Sequence, residues 1–145
     1  MATQYTAGLT TGQVLTAATM NSSGAAWENW APTITASSGT ITSGSTTSAR
    51  YMQIQKLVIG RLQYSVTTAG TAAGAFLIFT LPITGSTSLT SLDTSIGFGR
   101  EYRTTGSALN CIFKSTTTGM ILTYNNGGVI TNNYDISVNF IYEAP

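Results

Sequence analysis

The sequence predicts an all-β protein: a jelly-roll-like antiparallel β-sandwich with an extended N-terminal arm, assembled as a trimer. The fold class rests on three observations. Apolar and polar residues alternate with a period of two from residue 33 to 142, and Gly, Asn, Ser and Thr clusters interrupt that alternation. No stretch after Trp30 sustains a helical period. Eight short strands at such spacing favour a sandwich, and the jelly roll is its preferred version.

Each strand has a local reason. Pro32 ends any helical geometry before it and forces Ala31 extended, so the first strand spans 33–36. The next two, 48–54 and 56–67, form a hairpin in which Val58, Leu62, Tyr64 and Val66 share one face. "AFLIFTL" at 75–81 is apolar on both faces, which fits a strand that is central or covered on both sides. Strands 95–103 and 108–114 flank Thr104-Thr105-Gly106, a hairpin connection tolerant of positive φ. Strand 120–124 leads into Asn125-Asn126-Gly127-Gly128, read the same way. The last strand, 134–142, sets Ile136, Val138, Phe140 and Tyr142 on one face. The Ser/Thr/Gly stretches at 37–48, 67–74 and 84–91 are loops within the sandwich.

The arm occupies 1–31 and the β-domain 32–145. Residues 1–12 suggest extended, partner-dependent backbone. Thr16 is placed to cap a short helix through Ala17, Ala18 and Met20, which Asn21 to Gly24 would end. Trp27 and Trp30 are three apart, a spacing that one helical turn would bring to one face. They suit stacking on a sugar, anchoring the arm in a neighbour, or closing the bottom of the sandwich. Beside an apolar arm, packing is the favoured use. Val14, Leu15, Met20, Trp27 and Trp30 are therefore the candidate docking residues.

Composition narrows the function. The chain has 145 residues, 42% hydrophobic and 8% charged, against about 25% charged in ordinary soluble domains. So neutral a surface favours association. A net charge of +1 leaves no footprint for nucleic acid or an acidic membrane. Arg50, Lys56 and Arg61 lie on different sides of the predicted hairpin and suit a solvated or inter-subunit role. Cys111 lies in an apolar strand, as a buried thiol would. No run of 18 apolar residues marks a membrane span. "MATQYTAGLTTG" lacks the pattern of a secretory signal, so the expectation is a protein made in the cytoplasm and exported, if at all, by another route.

Catalytic machinery is sparse. With no histidine, Ser-His-Asp and Cys-His arrangements and the common zinc sites are excluded. No phosphate-binding loop and no calcium-loop spacing occurs. Glu28, Asp93, Glu101, Asp135 and Glu143 are the carboxylates. Asp93 and Glu101 flank one strand and would have to converge for a glycosidase. The simpler reading makes both surface charges, with Glu101 balanced by Arg100 and Arg103. No catalytic residue, cofactor or metal is expected.

"GQVLTAATMNSSGAAWENWAPTIT" resembles the N-terminal segment of many small structural proteins of tailed bacteriophages. Gly12, Val14, Leu15, Thr16, Ala17, Ala18, Asn21, Trp27, Trp30, Pro32 and Thr33 carry the resemblance. "ARYMQIQKLVIGRLQYSV" is similar to a strand pair of the same proteins through Arg50, Tyr51, Lys56 and Val58, with Gln55 where glycine is customary. "FTLPIT" adds a small third match. The resemblance implies a virion protein made in the host cytoplasm. It would be a minor tail or short fibre protein docked by its arm, or a capsid decoration protein, with a polysaccharide-degrading tail enzyme a remote third. Its implied partners are itself and other tail or capsid proteins. A host-surface glycan is a further candidate, contacted by Asn125, Asn126, Asn132 and Asn133, whose amides suit sugar hydroxyls but equally suit turns.

Overall fold

A computed structural model describes residues 26–89 and 94–145. Among these, the strands are β1 (Glu28–Asn29), β2 (Ile34–Ala36), β3 (Ser43–Ile54), β4 (Leu57–Thr68), β5 (Leu77–Thr80), β6 (Ser95–Glu101), β7 (Ala108–Ser115), β8 (Thr118–Thr123) and β9 (Tyr134–Glu143). A 3-10 turn at Gly70–Ala72 is the one helical element described. The strands form a single, strongly curled antiparallel sheet, a half-barrel, in the order β1-β3-β4-β9-β6-β7-β8-β5-β2. Its registers place the 37–42, 69–76, 102–107 and 124–133 connections at one end, the upper rim. The Gln55-Lys56 turn lies at the other, the lower rim, where the chain also leaves β5 after Thr80 and enters β6 at Ser95.

The alternation seen in the sequence builds the concave core. Val58, Leu62, Tyr64 and Val66 of β4 are all buried, as are Ile136, Val138, Phe140 and Tyr142 of β9. The two faces meet rung by rung, with Val58 opposite Tyr142, Leu62 opposite Val138 and Tyr64 opposite Ile136. Each buried aliphatic side chain contributes about 1.5–3 kcal/mol through lost apolar exposure. Two glycines make room for rings. A Cβ on Gly60 would sit 2.2 Å from Phe140 Cζ, and one on Gly119 would sit 2.4 Å from Phe79 Cζ. Each ring thus covers the bare backbone directly opposite it. The "AFLIFTL" segment is buried on both faces: Leu77 and Phe79 enter the main core, while Ile78 joins Met120 and Leu122 in a smaller cluster. Its strand is not central, since only β2 lies beyond it.

Residues 28–36 act as a strap between the two edges of the sheet. β1 pairs with β3 at one edge and β2 pairs with β5 at the other, and four residues separate them. Trp30 spans this gap. Its backbone N–H donates to Ala49 O at 3.1 Å, and its indole N–H donates to Thr80 O at 3.2 Å. Thr80 N–H returns a bond to Thr33 O, and Thr33 N–H donates to Thr80 Oγ1. The indole packs 5.7 Å from Phe140, edge to face, and 6.4 Å from Phe79. That geometry suits the ring quadrupoles.

Several expectations are corrected. The hairpin strand expected at 48–54 begins at Ser43, so the 37–48 loop is partly strand. Trp27 and Trp30 do not share a face: the chain is extended there, and a three-residue spacing puts them on opposite sides. Asn125 to Gly128 does not join neighbouring strands, because β8 and β9 are not adjacent. The chain instead passes Ala75, whose carbonyl accepts from Val129 and Ile130 N–H. Arg50 and Arg61, on the two arms of the hairpin, stand directly opposite each other. Gln55 occupies the left-handed region at φ 54°, the conformation for which glycine suits a two-residue turn.

Two measurements test this account. Trp30→Ala should lower stability by about 3 kcal/mol in urea unfolding, because it removes both the ring packing and the strap. Gln55→Gly should raise it by about 0.5 kcal/mol, since relief of the left-handed strain exceeds the added chain entropy.

Candidate functional site

The root of the arm lies on the convex face at the edge of the sheet. β1 runs antiparallel to β3, so the chain enters from the lower rim. Trp27 is 38% exposed, and its ring lies 5.5 Å from the Arg61 guanidinium carbon, a cation–π contact. Its carbonyl accepts from Arg50 Nη2 at 3.2 Å. One residue on, Glu28 points inward and accepts from the Tyr51 hydroxyl at 3.0 Å. Burial, then Glu28, raises the Tyr51 pKa, so that hydroxyl remains a donor. Beyond the strap, a groove of about 440 Å³ runs between Trp30 and Pro32 on one side and Thr46, Thr47 and Ser48 on the other.

The upper rim is organised by a buried carboxylate. Glu101, expected as a surface charge balanced by Arg100 and Arg103, is instead fully buried. It lies on the concave side of β6, opposite Ile136. The 102–107 connection folds over it, and its oxygens accept from the backbone N–H of Arg103, Thr104, Thr105 and Gly106 and from the Thr105 hydroxyl. Burial by itself favours the neutral acid and is the largest single influence. The amides of Thr105, Thr104 and Arg103 with the Thr105 hydroxyl together outweigh it and hold the carboxyl at about 2. With its oxygens so engaged and its proton lost, Glu101 is unsuited to act as a general acid in this arrangement. "EYRTTGS" carries the signal that sequence reading missed: an acid followed by a short polar loop able to turn several N–H groups onto it.

Asp135 lies next to this cradle, where its side chain accepts from the Ser65 hydroxyl and stands 3.8 Å from Arg103. Asp93, the other carboxylate considered for catalysis, lies outside the described residues. Cys111 is fully buried, and burial pushes its thiol well above the usual range, away from reactive thiolate. Among the described residues, no three His, Cys, Asp or Glu side chains gather where a metal could be held. No described helix is long and apolar enough to cross a membrane.

The remaining sequence-derived candidates fall into two groups. Val14, Leu15 and Met20 lie outside the described residues. Trp27 sits at the convex edge, and Trp30, partly buried, packs against the core. The four asparagines all come to the upper rim, at the end opposite the arm, and all are exposed. Asn126 and Asn133 hold left-handed backbone at φ 59° and 60°, and Asn132 Oδ1 accepts from Ala69 N–H at 2.7 Å. These three therefore have structural duties as well as exposed amides.

No protein-family model matches the chain, nor does any curated protein or solved structure.

The Glu101 cradle makes a signed prediction. In the unfolded chain its carboxyl returns to about 4.5, so the cradle's contribution is complete above that pH and is lost as pH falls from 4.5 toward 2. Glu101→Gln, which sets an amide against several donors, should cost about 2 kcal/mol at neutral pH. Its thermal midpoint should also vary less with pH across that window than that of the parent protein.

Proposed function

We propose that this protein is a non-enzymatic structural protein of a tailed-phage virion. In this reading it is a surface appendage, either a minor tail or short fibre protein, docked by its N-terminal arm. The half-barrel is the jelly-roll-like subunit of a trimer made in the host cytoplasm. The observation that carries the reading is the two-ended design. The arm enters at the lower rim and is tied into both edges of the sheet by residues 28–36, whereas four connections, 37–42, 69–76, 102–107 and 124–133, are gathered at the upper rim. A load on the arm is thereby passed to the whole sheet. Ile54, Leu57 and Ile141 are 42–50% exposed near the lower rim, which gives subunits an apolar surface to share.

A capsid decoration protein is the second reading, favoured by the neutral surface and the compact single sheet. Copy number separates the two. Quantitative mass spectrometry of purified particles should find a few to a few dozen copies for a tail protein, against hundreds for a decoration protein. A variant lacking residues 1–25 should keep its fold and lose incorporation. Absence of the protein from particles, or normal incorporation without those residues, would overturn the proposal.

A further inference from the structure

The convex face carries a continuous row of side chains that runs straight across the sheet. Asn29 stands opposite Arg50, Arg50 opposite Arg61, and Arg61 opposite Asn139. Asn139 stands opposite Phe98, and Phe98 opposite Asn110. All six point outward, alternating with buried neighbours along β3, β4, β9 and β7. Phe98 is 72% exposed. At one strand spacing per step the row is about 24 Å long.

This row departs from what stability alone would select. Like charges directly opposite on one face destabilise a sheet. Yet in a chain with only six basic residues, two arginines share one rung, and no described carboxylate pairs with either. The nearest carboxylates on β9, Asp135 and Glu143, lie four residues to either side of Asn139, and Asp135 is engaged with Ser65 and Arg103. Arg50 Nε is buried without an acceptor. Trp27 fixes both guanidinium groups beforehand, Arg50 through its carbonyl and Arg61 through its ring. Two preset guanidinium groups suit a carboxylate in bidentate fashion. The flanking amides offer donors and acceptors to hydroxyls, and an exposed aromatic ring offers its face to the apolar side of a pyranose.

The geometry points to this row as a binding site for a carboxylate-bearing oligosaccharide about four sugars long. The arginines take the acid group, the asparagines take hydroxyls, and Phe98 stacks on a neighbouring ring. The site goes beyond the proposed function by giving the surface appendage a ligand, on the convex face and not at the upper-rim asparagines, and rests on that reading only for its biological setting. Affinity of the purified protein tests the site, whereas copy number in particles tests the reading.

Calorimetric titration with tetragalacturonate and tetrasialic acid should show saturable binding to at least one of them. The methyl ester of that ligand should bind at least about tenfold more weakly. Arg61→Gln should weaken binding about tenfold and Phe98→Ser about fivefold, with thermal midpoints unchanged or, for Arg61→Gln, raised. Absence of binding to either acid below about 10 mM would overturn the inference. So would equal affinity for the ester, or equally tight binding of octathymidylate, which would make the row a generic anion or nucleic-acid contact. Dissociation of the oligomer by Arg61→Gln would likewise overturn it and make the row a subunit contact.

Discussion

Everything in this fold depends on the closing of a curled sheet, and Trp30 is the residue that closes it. Sheets twist because of backbone stereochemistry, and a long twisted sheet curls until its edges approach each other. Unpaired edges are a liability, since each is a template for further pairing. Here one short segment supplies a strand to both edges, and Trp30 between them bonds to each side, through its backbone N–H to Ala49 O and through its indole N–H to Thr80 O, while its ring packs against Phe79 and Phe140. The concave face becomes a closed core only because this tie exists.

The upper rim solves the corresponding problem for loops. A connection bent over an apolar core leaves amide groups without partners, and each costs stability unless it is satisfied. Glu101 gathers several of them at once. The same rim uses Asn132 to occupy the Ala69 amide and Thr123 Oγ1 to accept from Gly127 N–H. With so few charges in the chain, polar order comes from short side chains bonding to backbone. The Arg50–Arg61 rung stands out against this economy.

Much of the sheet was legible because its strands alternate. The faces assigned to β4 and β9 are the faces that meet in the core, since period two is a direct consequence of pleating. What was not legible lacks that signal. Ser43 to Ser48 is strand without apolar members, held by its partner β4 rather than by its own pattern. β1 has two residues, too few for any period, and the spacing of Trp27 and Trp30 imitates a helical turn. Glu101 reads as solvated because local sequence does not show that its loop folds back over it. The convex row is invisible for a different reason: it joins residues from six strands, and only the register reveals it.

The position of β9 has a consequence for how the chain reaches this structure. β1, β3 and β4 form one hydrogen-bonded group, and β6, β7, β8, β5 and β2 form another. In the ladder order only β9, inserted between β4 and β6, joins them. It follows both partners in sequence, β4 by a wide margin, so a chain emerging during synthesis cannot pair these two edges until β9 has been made. Such non-local pairing makes folding slow relative to helical proteins of similar size. Whatever else has formed, the ladder becomes one continuous sheet only when β9 takes its place between β4 and β6.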